Sequence, residues 1–462
     1  MYEGSNEQRL LSIFKDIVLP LADSYLATRR GFRWSREQRS LFVGDRQYEV
    51  ESISRIFLVG AGKAGVPMAR AFVDTLKEDD SLWAKFAGGT VNVYRNQATE
   101  TIPGVSLFAA DHPNPNQASL DGARAALELL GRAGTDDLVV AVISGGGSSL
   151  LALPQEGITL EDFRLANQAL VTGGPTIQKI NTVRKHLSQV KGGRLRLAAP
   201  GSLFVTLVLS DVIGDDLSSI ASGPSVPDAT TCNDAVEVLN QHGLWDVVPT
   251  SVQDCLLRGD PDEAKKAELW AGVLASRTHN MVVSSNAVIL DALEDRLAGV
   301  KIEGKTPSVF VEHNPVLGPV DQVVEQNLQQ ASALAETAPS PALVLFGGEP
   351  VVRVRPDATG TGGRMLHYAL LAMRPIAGRD IAVLASGTDG IDGTAPAAGA
   401  VVTGTTLEEA SAAGLEPEKF LANYDSYGFF SALESRTGRR FLNITGVTGT
   451  NVNDIMLCLF RT

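Results

Sequence analysis

Residues 53–65 read ISRIFLVGAGKAG, and residues 137–149 read DLVVAVISGGGSS. In both stretches an apolar run leads directly into a cluster of glycines. Apolar runs without polar alternation are typical of parallel strands that are covered on both faces, and glycines at a strand end let the backbone approach a ligand closely. A third apolar run, Leu203–Leu209, ends in a similar way at Ser210 and Asp211. With helical segments between them, these runs predict βαβ units that bind a ligand beyond the carboxyl ends of the strands.

The length of the chain predicts two domains. Its 462 residues exceed the ~250–300 residues at which one hydrophobic core stops growing. Hydrophobic residues make up 44% and charged residues 20% of the chain, which is close to the average for globular proteins and argues against disorder.

Charge and cysteine content narrow the class of protein. The formal net charge of −13 argues against non-specific nucleic-acid binding. Cys232, Cys255 and Cys458 are far apart and form neither a disulfide framework nor a paired metal motif. The N-terminus lacks a signal-peptide pattern, and no apolar run reaches the ~18–20 residues that span a bilayer. We therefore expect a cytoplasmic protein without nucleic-acid or membrane partners, and the oligomeric state stays open, a homodimer included.

The glycines at positions 60, 62 and 65 have the G-x-G-x-x-G spacing of dinucleotide-binding loops. An acidic residue should then end the second strand, where it would bind the ribose hydroxyl. Tyr94 and Arg95 stand there instead, which leaves open an NADP enzyme whose arginine binds a 2′-phosphate. Lys63 lies at a helix start, where the helix dipole is already positive. We therefore interpret Lys63 as an anion ligand, with a solvated surface lysine as the alternative.

The second glycine cluster predicts a phosphate-binding loop. Its backbone N–H groups can converge on an anion and its hydroxyls can donate to phosphate oxygens. The residues are Ser144, Gly145, Gly146, Gly147, Ser148 and Ser149. Between Phe163 and Ser210 the chain carries seven Lys and Arg residues, Lys191 among them, and no Asp or Glu. Such a field attracts anionic ligands, although a solvated basic helix face is the alternative.

Three further charged residues stand at strand ends or at a glycine-rich helix start. Asp211 closes a buried strand, where a carboxylate is costly unless it is paired or functional. We expect it to bind Mg²⁺ or to accept a hydroxyl proton. Asp389 follows another strand, and its oxygens also suit Mg²⁺. Arg364 follows the glycine-rich residues 360–363 and is expected to clamp a carboxylate or a transferring phosphoryl group.

Several long motifs follow one another in a fixed order. They are SGGGSSLL (144–151), INTVRKHLSQVKGGRL (180–195), LSDVIGDDLSSIASGPSVPD (209–228), GGEPVVRV (347–354), GTGGR (360–364), DGIDG (389–393) and TGTNVND (448–454). In this order they resemble the glycerate 2-kinase family of the GckA/MOFRL type, whose members are often labelled hydroxypyruvate reductases. The resemblance runs from the first glycine loop to the C-terminus.

The resemblance implies an α/β fold in two domains. A Rossmann-like, doubly wound domain is expected over residues 1–255, a connecting region over 256–340, and a C-terminal MOFRL α/β domain over 341–462. It also implies an ATP- and Mg²⁺-dependent kinase that converts D-glycerate, or a closely related hydroxy acid, to 2-phosphoglycerate. The functional lysine and arginine of the family fall on Lys63 and Arg364.

Two segments depart from the family pattern. Members usually continue the GGR motif with Asn-Gln-Glu, whereas this chain has Met365, Leu366 and His367. They usually read DGTDGPTD where residues 389–396 of this chain read DGIDGTAP. Because polar partners for substrate hydroxyls are thereby lost, we expect the departures to change the choice of hydroxy acid, through a pocket that is larger, less polar at one wall, or completed by His367.

Together these residues predict a kinase site. The N–H groups of residues 145–149, together with Lys191, would hold the ATP phosphates. Asp211 would orient the attacking hydroxyl, and Asp211 or Asp389 would bind Mg²⁺. An NADP-dependent hydroxypyruvate reductase and a non-catalytic ligand-binding protein are the alternatives.

Overall fold

The computed structural model describes residues 4–338 and 341–461. The chain divides into two compact units. The Rossmann unit is Ser24–Val283, and the mixed-sheet unit consists of the described residues of Met1–Asp23 and Ser284–Thr462. No helix among the described residues is long and apolar enough to cross a membrane.

The elements alternate between helix and strand along most of the chain. The strands are β1 (Phe32–Ser35), β2 (Ser40–Val43), β3 (Arg46–Glu49), β4 (Ile56–Ala61), β5 (Phe86–Tyr94), β6 (Val105–Ala110), β7 (Leu138–Ile143), β8 (Leu203–Leu209), β9 (Thr278–Ser284), β10 (Ser308–Pro319), β11 (Ala342–Val351), β12 (Ile381–Gly387), β13 (Gly399–Thr403), β14 (Leu442–Asn443) and β15 (Asp454–Phe460). The α-helices are α1 (Asn6–Ile13), α2 (Leu19–Ala22), α3 (Ser24–Gly31), α4 (Gly65–Leu76), α5 (Asp80–Trp83), α6 (Gln117–Leu130), α7 (Gly147–Leu150), α8 (Leu160–Thr172), α9 (Ile177–His186), α10 (Arg194–Leu197), α11 (Cys232–Gln241), α12 (Thr250–Arg258), α13 (Glu263–Leu269), α14 (Ala275–Arg277), α15 (Asn286–Leu297), α16 (Val320–Glu336), α17 (Arg364–Ala372), α18 (Thr406–Ala412), α19 (Pro417–Ala422) and α20 (Ser426–Thr437). Short 3₁₀ or π segments are Phe14–Val18, Val50–Ser52, Arg95–Gln97, Ile220–Ser222 and Trp270–Leu274.

The main sheet of the Rossmann unit has the strand order β6-β5-β4-β7-β8-β9. Numbered within the sheet this is 3-2-1-4-5-6, the order of dinucleotide-binding Rossmann folds. β4 pairs in parallel with β5 and β7, and β7 pairs in parallel with β8. Every residue of β4 and β7 is buried, as expected for apolar strands covered on both faces. The predicted Rossmann-like, doubly wound fold is confirmed, and its strand order reverses between β4 and β7.

The mixed-sheet unit contains a sheet of order β10-β11-β15-β12-β13-β14. β10 and β11 are parallel, whereas β15 is antiparallel to both β11 and β12. Helix α1 packs against β12 and β13, so residues from the start of the chain contribute to this unit. The predicted C-terminal α/β domain is confirmed. Most of the predicted connecting region 256–340 is also structured, since it supplies α15, β10 and α16 to this unit; its last two residues, 339 and 340, lie outside the described residues.

Some local predictions differ from the structure. Residues 303–319 read as a loop because they contain Pro and Gly, yet β10 forms there from Ser308 onward. β10 lies at an edge of its sheet and its register shifts between Glu312 and Val316, and edge strands and bulges tolerate proline. Arg353 and Val354, expected in a strand, follow the end of β11. Helix α9 begins after Thr176, whose hydroxyl accepts from the Lys179 N–H, and not after Asn181.

Asp392 determines where α17 begins. Its carboxylate oxygens accept hydrogen bonds from the N–H groups of Met365 (3.2 Å) and Leu366 (2.6 Å) in the first turn. Burial raises the pKa of Asp392 to about 6, although these two N–H groups and the Arg364 guanidinium favour the ionised form. Asp392 is thus engaged as a cap of the first turn of α17.

The raised pKa of Asp392 predicts a stability that depends on pH. Because the pKa in the folded state lies above the usual 3.8, the contribution is fully present below about pH 4 and is lost as the pH rises through about 6. A shift of about two pKa units corresponds to about 3 kcal/mol at most. We expect Asp392→Asn, which keeps one acceptor oxygen, to flatten the pH dependence of the thermal unfolding midpoint between pH 4 and 7. Parallel curves for the wild type and the variant would contradict this.

Candidate active site

The loops that follow β4 and β7 interlock at the point where the strand order reverses. The Lys63 N–H donates to the Gly145 carbonyl (2.9 Å), and the Ala64 N–H donates to Ser144 Oγ (3.0 Å). The Gly62 and Gly65 N–H groups donate to the Asn92 carbonyl and the Gly62 carbonyl. The first glycine loop therefore uses these four N–H groups inside the protein. A dinucleotide pyrophosphate would have to displace those hydrogen bonds, which argues against the interpretation of this loop as a binding site for NADP.

Gly62 makes the close approach of the two loops possible. Its φ is +142°, and a Cβ atom built on it would lie 2.0 Å from Ser144 Oγ. No side chain fits at that distance. The glycine spacing that resembled a dinucleotide fingerprint thus serves the contact between two neighbouring strand ends.

The loop after β7 keeps N–H groups that the protein does not use. Within the described residues, the N–H groups of Gly145, Gly146 and Ser148 have no hydrogen-bond acceptor. Gly146 adopts a left-handed conformation (φ +79°), and α7 begins at Gly147. Unpaired N–H groups at such a turn favour an anion. This loop, residues 144–149, is called the phosphate loop below.

A hydrogen-bonded chain supports the phosphate loop from beneath. Ser148 Oγ lies 2.8 Å from Ser222 Oγ, which lies 3.0 Å from Asn181 Oδ1 in α9. Asn181 is 3% exposed, and its Nδ2 has no partner among the described residues. Ser149 Oγ donates to the Pro113 carbonyl (2.8 Å). The loop hydroxyls are thus oriented by neighbouring elements, a role that the sequence motifs alone did not indicate.

Lys191 lies buried directly below this loop. Its ammonium group donates to the carbonyls of Ser148 (2.6 Å) and Leu151 (3.0 Å). It is 1% exposed, and no carboxylate pairs with it in the described part of the chain. Burial, followed by the nearby Arg184, lowers the pKa of Lys191 to about 7. Lys191 therefore holds the loop backbone and adds positive charge beneath it.

Lys63 and His112 lie beside Gly146 of the phosphate loop. A Cβ atom on Gly146 would lie 3.2 Å from His112 Cδ2 and 3.3 Å from Lys63 Cγ. Lys63 is exposed and forms no ion pair within the described residues. Burial, then the charges of Lys63 and Arg184, lower the pKa of His112 to about 4, so this imidazole is neutral at pH 7. Arg184 belongs to the basic segment that the sequence predicted to attract anions, whereas His112 was assigned no role from the sequence.

Asp211 brings a carboxylate to the same loop. A Cβ atom on Gly145 would lie 2.1 Å from Asp211 Oδ2, so the carboxylate lies against the loop backbone. Asp211 follows β8, the neighbour of β7, and the carboxyl ends of parallel neighbours lie at one edge of the sheet. The structure therefore brings Lys63, residues 144–149, Lys191 and Asp211 together at one edge of the sheet.

Arg95, the residue that left an NADP enzyme open, is engaged elsewhere. Its Nε donates to Asp111 Oδ1 (2.7 Å), and its NH2 nitrogen pairs with the other oxygen of the same carboxylate. A forked pair of this kind satisfies the face of the guanidinium that a 2′-phosphate would need.

Arg364 lies in the mixed-sheet unit and is held by two carboxylates. Its Nε and NH2 atoms donate to Asp454 (2.5 and 3.3 Å), and NH1 donates to Glu349 Oε1 (2.7 Å). Burial acts to lower the pKa of Arg364, but the two carboxylates outweigh it and raise the pKa. Burial raises the pKa of Asp454 to about 7, although Arg364 opposes that shift. Asp454, seen from the sequence only as part of a polar loop, begins the central strand β15.

Asp389 lies close to Asp454. A Cβ atom on Gly387 would lie 3.2 Å from Asp389 Oδ1 and 3.3 Å from Asp454 Oδ1. Groups of three or more His, Cys, Asp or Glu side chains suited to a metal do not occur in the described residues. Mg²⁺ usually takes only one or two carboxylates and completes its shell with phosphate oxygens and water. The donor chemistry of a single carboxylate, either that of Asp211 or that of Asp389, fits an ion held in that way.

The residues that depart from the family pattern are not all exposed. Met365 and Leu366 are 0% exposed and pack in the hydrophobic core of the mixed-sheet unit. Their side chains therefore fill core volume and do not form a pocket wall, which corrects that part of the expectation. His367 is half-buried and stacks on Tyr424, with ring centroids 5.7 Å apart.

Comparison with known proteins places the chain in a family. A model described as a domain of unknown function, DUF4147, matches residues 14–257, and the MOFRL family model matches residues 342–454. A glycerate 2-kinase of Pyrococcus horikoshii is 35% identical over 96% of this chain and 94% of its own length. The chain belongs to the glycerate 2-kinase family.

Two further relatives agree with this family membership. A D-glycerate 2-kinase of Thermotoga maritima is 35% identical over 88% of this chain and 91% of its own length. The crystal structure of a glycerate kinase from Thermotoga maritima superposes with a TM-score of 0.79 at 30% identity and covers 98% of both chains. The resemblance inferred from the sequence motifs is thereby confirmed.

The buried Lys191 predicts a response to inorganic phosphate. An anion at the loop would offset the cost of a buried ammonium group without a carboxylate partner. We expect phosphate to raise the thermal unfolding midpoint of the wild type more than sodium chloride at equal ionic strength does.

The variant Lys191→Met should lose most of that phosphate effect. Lys85→Met is the matched control, because the ammonium group of Lys85 also bonds to a backbone carbonyl, that of Ile53, before β4 begins. An equal phosphate response in Lys191→Met and wild type would show that the anion binds elsewhere.

Proposed function

We propose that the chain is an ATP- and Mg²⁺-dependent glycerate 2-kinase that converts D-glycerate, or a closely related hydroxy acid, to 2-phosphoglycerate. One observation carries the proposal. The phosphate loop combines unused N–H groups with the unpaired cations Lys63 and Lys191 and the carboxylate of Asp211. Phosphoryl transfer depends mainly on alignment and on neutralising charge, and these groups supply both.

The phosphate loop and Lys191 are proposed to hold the ATP phosphates. The free N–H groups of Gly145, Gly146 and Ser148 donate to phosphate oxygens. Lys191 fixes the carbonyls of Ser148 and Leu151, so the loop needs little rearrangement when the nucleotide binds. Preorganised donors of this kind stabilise developing charge without a reorganisation cost during the reaction.

Asp211 and Lys63 are proposed to act on the reacting groups. Asp211 orients the hydroxyl on C2 of the acid and accepts its proton, while the oxygen forms a bond to the γ-phosphorus. The bond between that phosphorus and the bridging oxygen breaks, and ADP leaves. Lys63, whose side chain lies beside Gly146, stabilises the charge on the transferred group.

Either Asp211 or Asp389 is the proposed Mg²⁺ ligand. The ion, when bound, would neutralise charge on the phosphate oxygens. Arg364 keeps its predicted role as a ligand for the substrate or the transferred group. Because Asp454 and Glu349 already bind its guanidinium, such a role requires an exchange of partners.

The proposed reaction is tested by two parallel assays on the purified chain. The first measures ADP release on addition of D-glycerate with Mg-ATP, with the phosphorylated carbon identified by phosphorus NMR. The second measures NADPH oxidation on addition of hydroxypyruvate. We expect ADP release with 2-phosphoglycerate as product and no NADPH oxidation. NADPH oxidation without ADP release would establish the reductase instead.

Lys63→Ala should lower turnover by a factor of about 10²–10³, because one preorganised cation is lost from the transition state. Lys77→Ala is the matched control, since Lys77 lies just after the other end of the same helix α4. We measure kcat for both variants and confirm folding by circular dichroism. Turnover like that of the wild type in a well-folded Lys63→Ala variant would exclude this role.

His367→Glu tests whether the family departure shapes specificity. With Met365 and Leu366 in the core, His367 is the one of the three residues that is not fully buried. If it contributes to substrate choice, kcat/KM for D-glycerate relative to four-carbon sugar acids should rise in the variant. An unchanged ratio would show that this position does not select the acid.

A further inference from the structure

Arg184 is a cation in the Rossmann unit whose charge is left without a carboxylate. It lies in α9, and its Nε donates to Asn167 Oδ1 (2.7 Å). Its two terminal nitrogens make no hydrogen bond or ion pair within the described residues. The side chain is half-buried, and burial lowers the pKa of the guanidinium. A desolvated guanidinium with its terminal fork open is an incomplete interaction, and an anion would complete it.

The guanidinium of Arg184 lies near the phosphate loop. Its charge lowers the pKa of His112, which lies against Gly146, and that of Lys191, which bonds to the Ser148 carbonyl. Arg184 also lies one turn along α9 from Asn181, whose Oδ1 accepts from Ser222 Oγ, and that hydroxyl lies 2.8 Å from Ser148 Oγ of the phosphate loop. The helix that supports the loop therefore carries Arg184 close to the site where the phosphates are proposed to bind.

Arg184 differs from Arg364 in how its charge is balanced. Two carboxylates, Asp454 and Glu349, already surround the single positive charge of Arg364. Arg184 has a neutral imidazole and two further cations near it, so an anion gains more there.

We propose that Arg184, with His112 beside it, binds the carboxylate of the hydroxy-acid substrate. The inference rests on the proposed function and names the group that recognises the acid. The open edge of a guanidinium matches two oxygens of either a carboxylate or a phosphate. Because the loop N–H groups, Lys191 and Lys63 are already proposed to serve the phosphates, Arg184 is left for the carboxylate. The neutral imidazole of His112 offers one N–H donor without adding charge. Recognition by Arg184 would leave Lys63 available for the transferred phosphoryl group.

The test compares Arg184→Met with the wild type. We measure kcat and KM for D-glycerate and for ATP, and we repeat the measurements with D-glyceramide, the neutral amide of the substrate. Lys179→Met is the matched control, because Lys179 lies on the same helix, is also half-buried, and already donates to Gln241. Calorimetric binding of D-glycerate, in the absence of ATP turnover, gives a readout independent of activity.

We expect Arg184→Met to lower kcat/KM for D-glycerate on the order of 10²-fold, as loss of charge-assisted hydrogen bonds does. The KM for ATP should stay within about 2-fold of the wild-type value. The preference for D-glycerate over D-glyceramide, measured as the ratio of their kcat/KM values, should be largely lost. Arg184→Lys keeps the charge but loses the forked pair of donors. Its kcat/KM for D-glycerate should therefore lie between the values of the wild type and of Arg184→Met. Should Arg184→Met fail to fold, Arg184→Lys alone must lower the preference for glycerate.

Other outcomes overturn the inference. A raised KM for ATP with unchanged glycerate parameters would place Arg184 on a phosphate. Unchanged parameters for both substrates would make Arg184 a structural residue only. If the wild type releases ADP with glycerate and the variant does so equally well, the inference fails while the proposed function stands. If the wild type neither binds nor phosphorylates any hydroxy acid, the proposed function fails and this inference fails with it.

Discussion

The interlock between the loops after β4 and β7 is the contact on which the candidate site depends. Two parallel neighbours bring their carboxyl ends together, and Gly62 lets Ser144 come within a distance that no Cβ would allow. Ser144 Oγ and the Gly145 carbonyl then accept the N–H groups of Ala64 and Lys63. One loop thus uses its donors to hold the other in place. The second loop can then present its own donors outward, which favours an anion without a large rearrangement.

Charge balance explains why the site favours an anion. In the Rossmann unit, Lys63, Arg184 and Lys191 have no carboxylate partner among the described residues. In the mixed-sheet unit, by contrast, Arg364 has two carboxylate partners, Asp454 and Glu349. Lys63 is exposed, but Arg184 is half-buried and Lys191 is buried, and a desolvated cation without a carboxylate partner costs free energy in the unliganded protein. That cost is offset only when an anion binds, so the same arrangement that weakens the free protein strengthens binding of a nucleotide or an acid.

The sequence predicted the parts of this arrangement that depend on local patterns. Apolar runs ending in glycine indicated the strands β4 and β7, and the position of Lys63 at a helix start indicated an anion ligand. The sequence patterns gave wrong predictions where contacts with distant parts of the chain determine the local structure. The Pro and Gly residues of β10 are tolerated because that strand lies at a sheet edge.

The sequence patterns did not predict contacts between distant residues either. Asp454 meets Arg364 across 90 positions of the chain, and nothing in the local sequence marks that pair. The same holds for His112 and Arg184, whose neighbourhood only the folded chain creates. The G-x-G-x-x-G spacing even suggested a different cofactor, because spacing does not show whether the N–H groups of a loop are already bonded.

The central claim is that the anion binds the loop after β7 and not the loop after β4. Amide hydrogen exchange in the presence and absence of Mg-ATP tests it most directly, since exchange is slowed where an N–H group gains an acceptor. The account predicts that nucleotide slows exchange at Gly145, Gly146 and Ser148. Exchange at residues 62–65 should be slow already without ligand and should not change. Protection that appears at residues 62–65 and not at residues 145–148 would contradict the account.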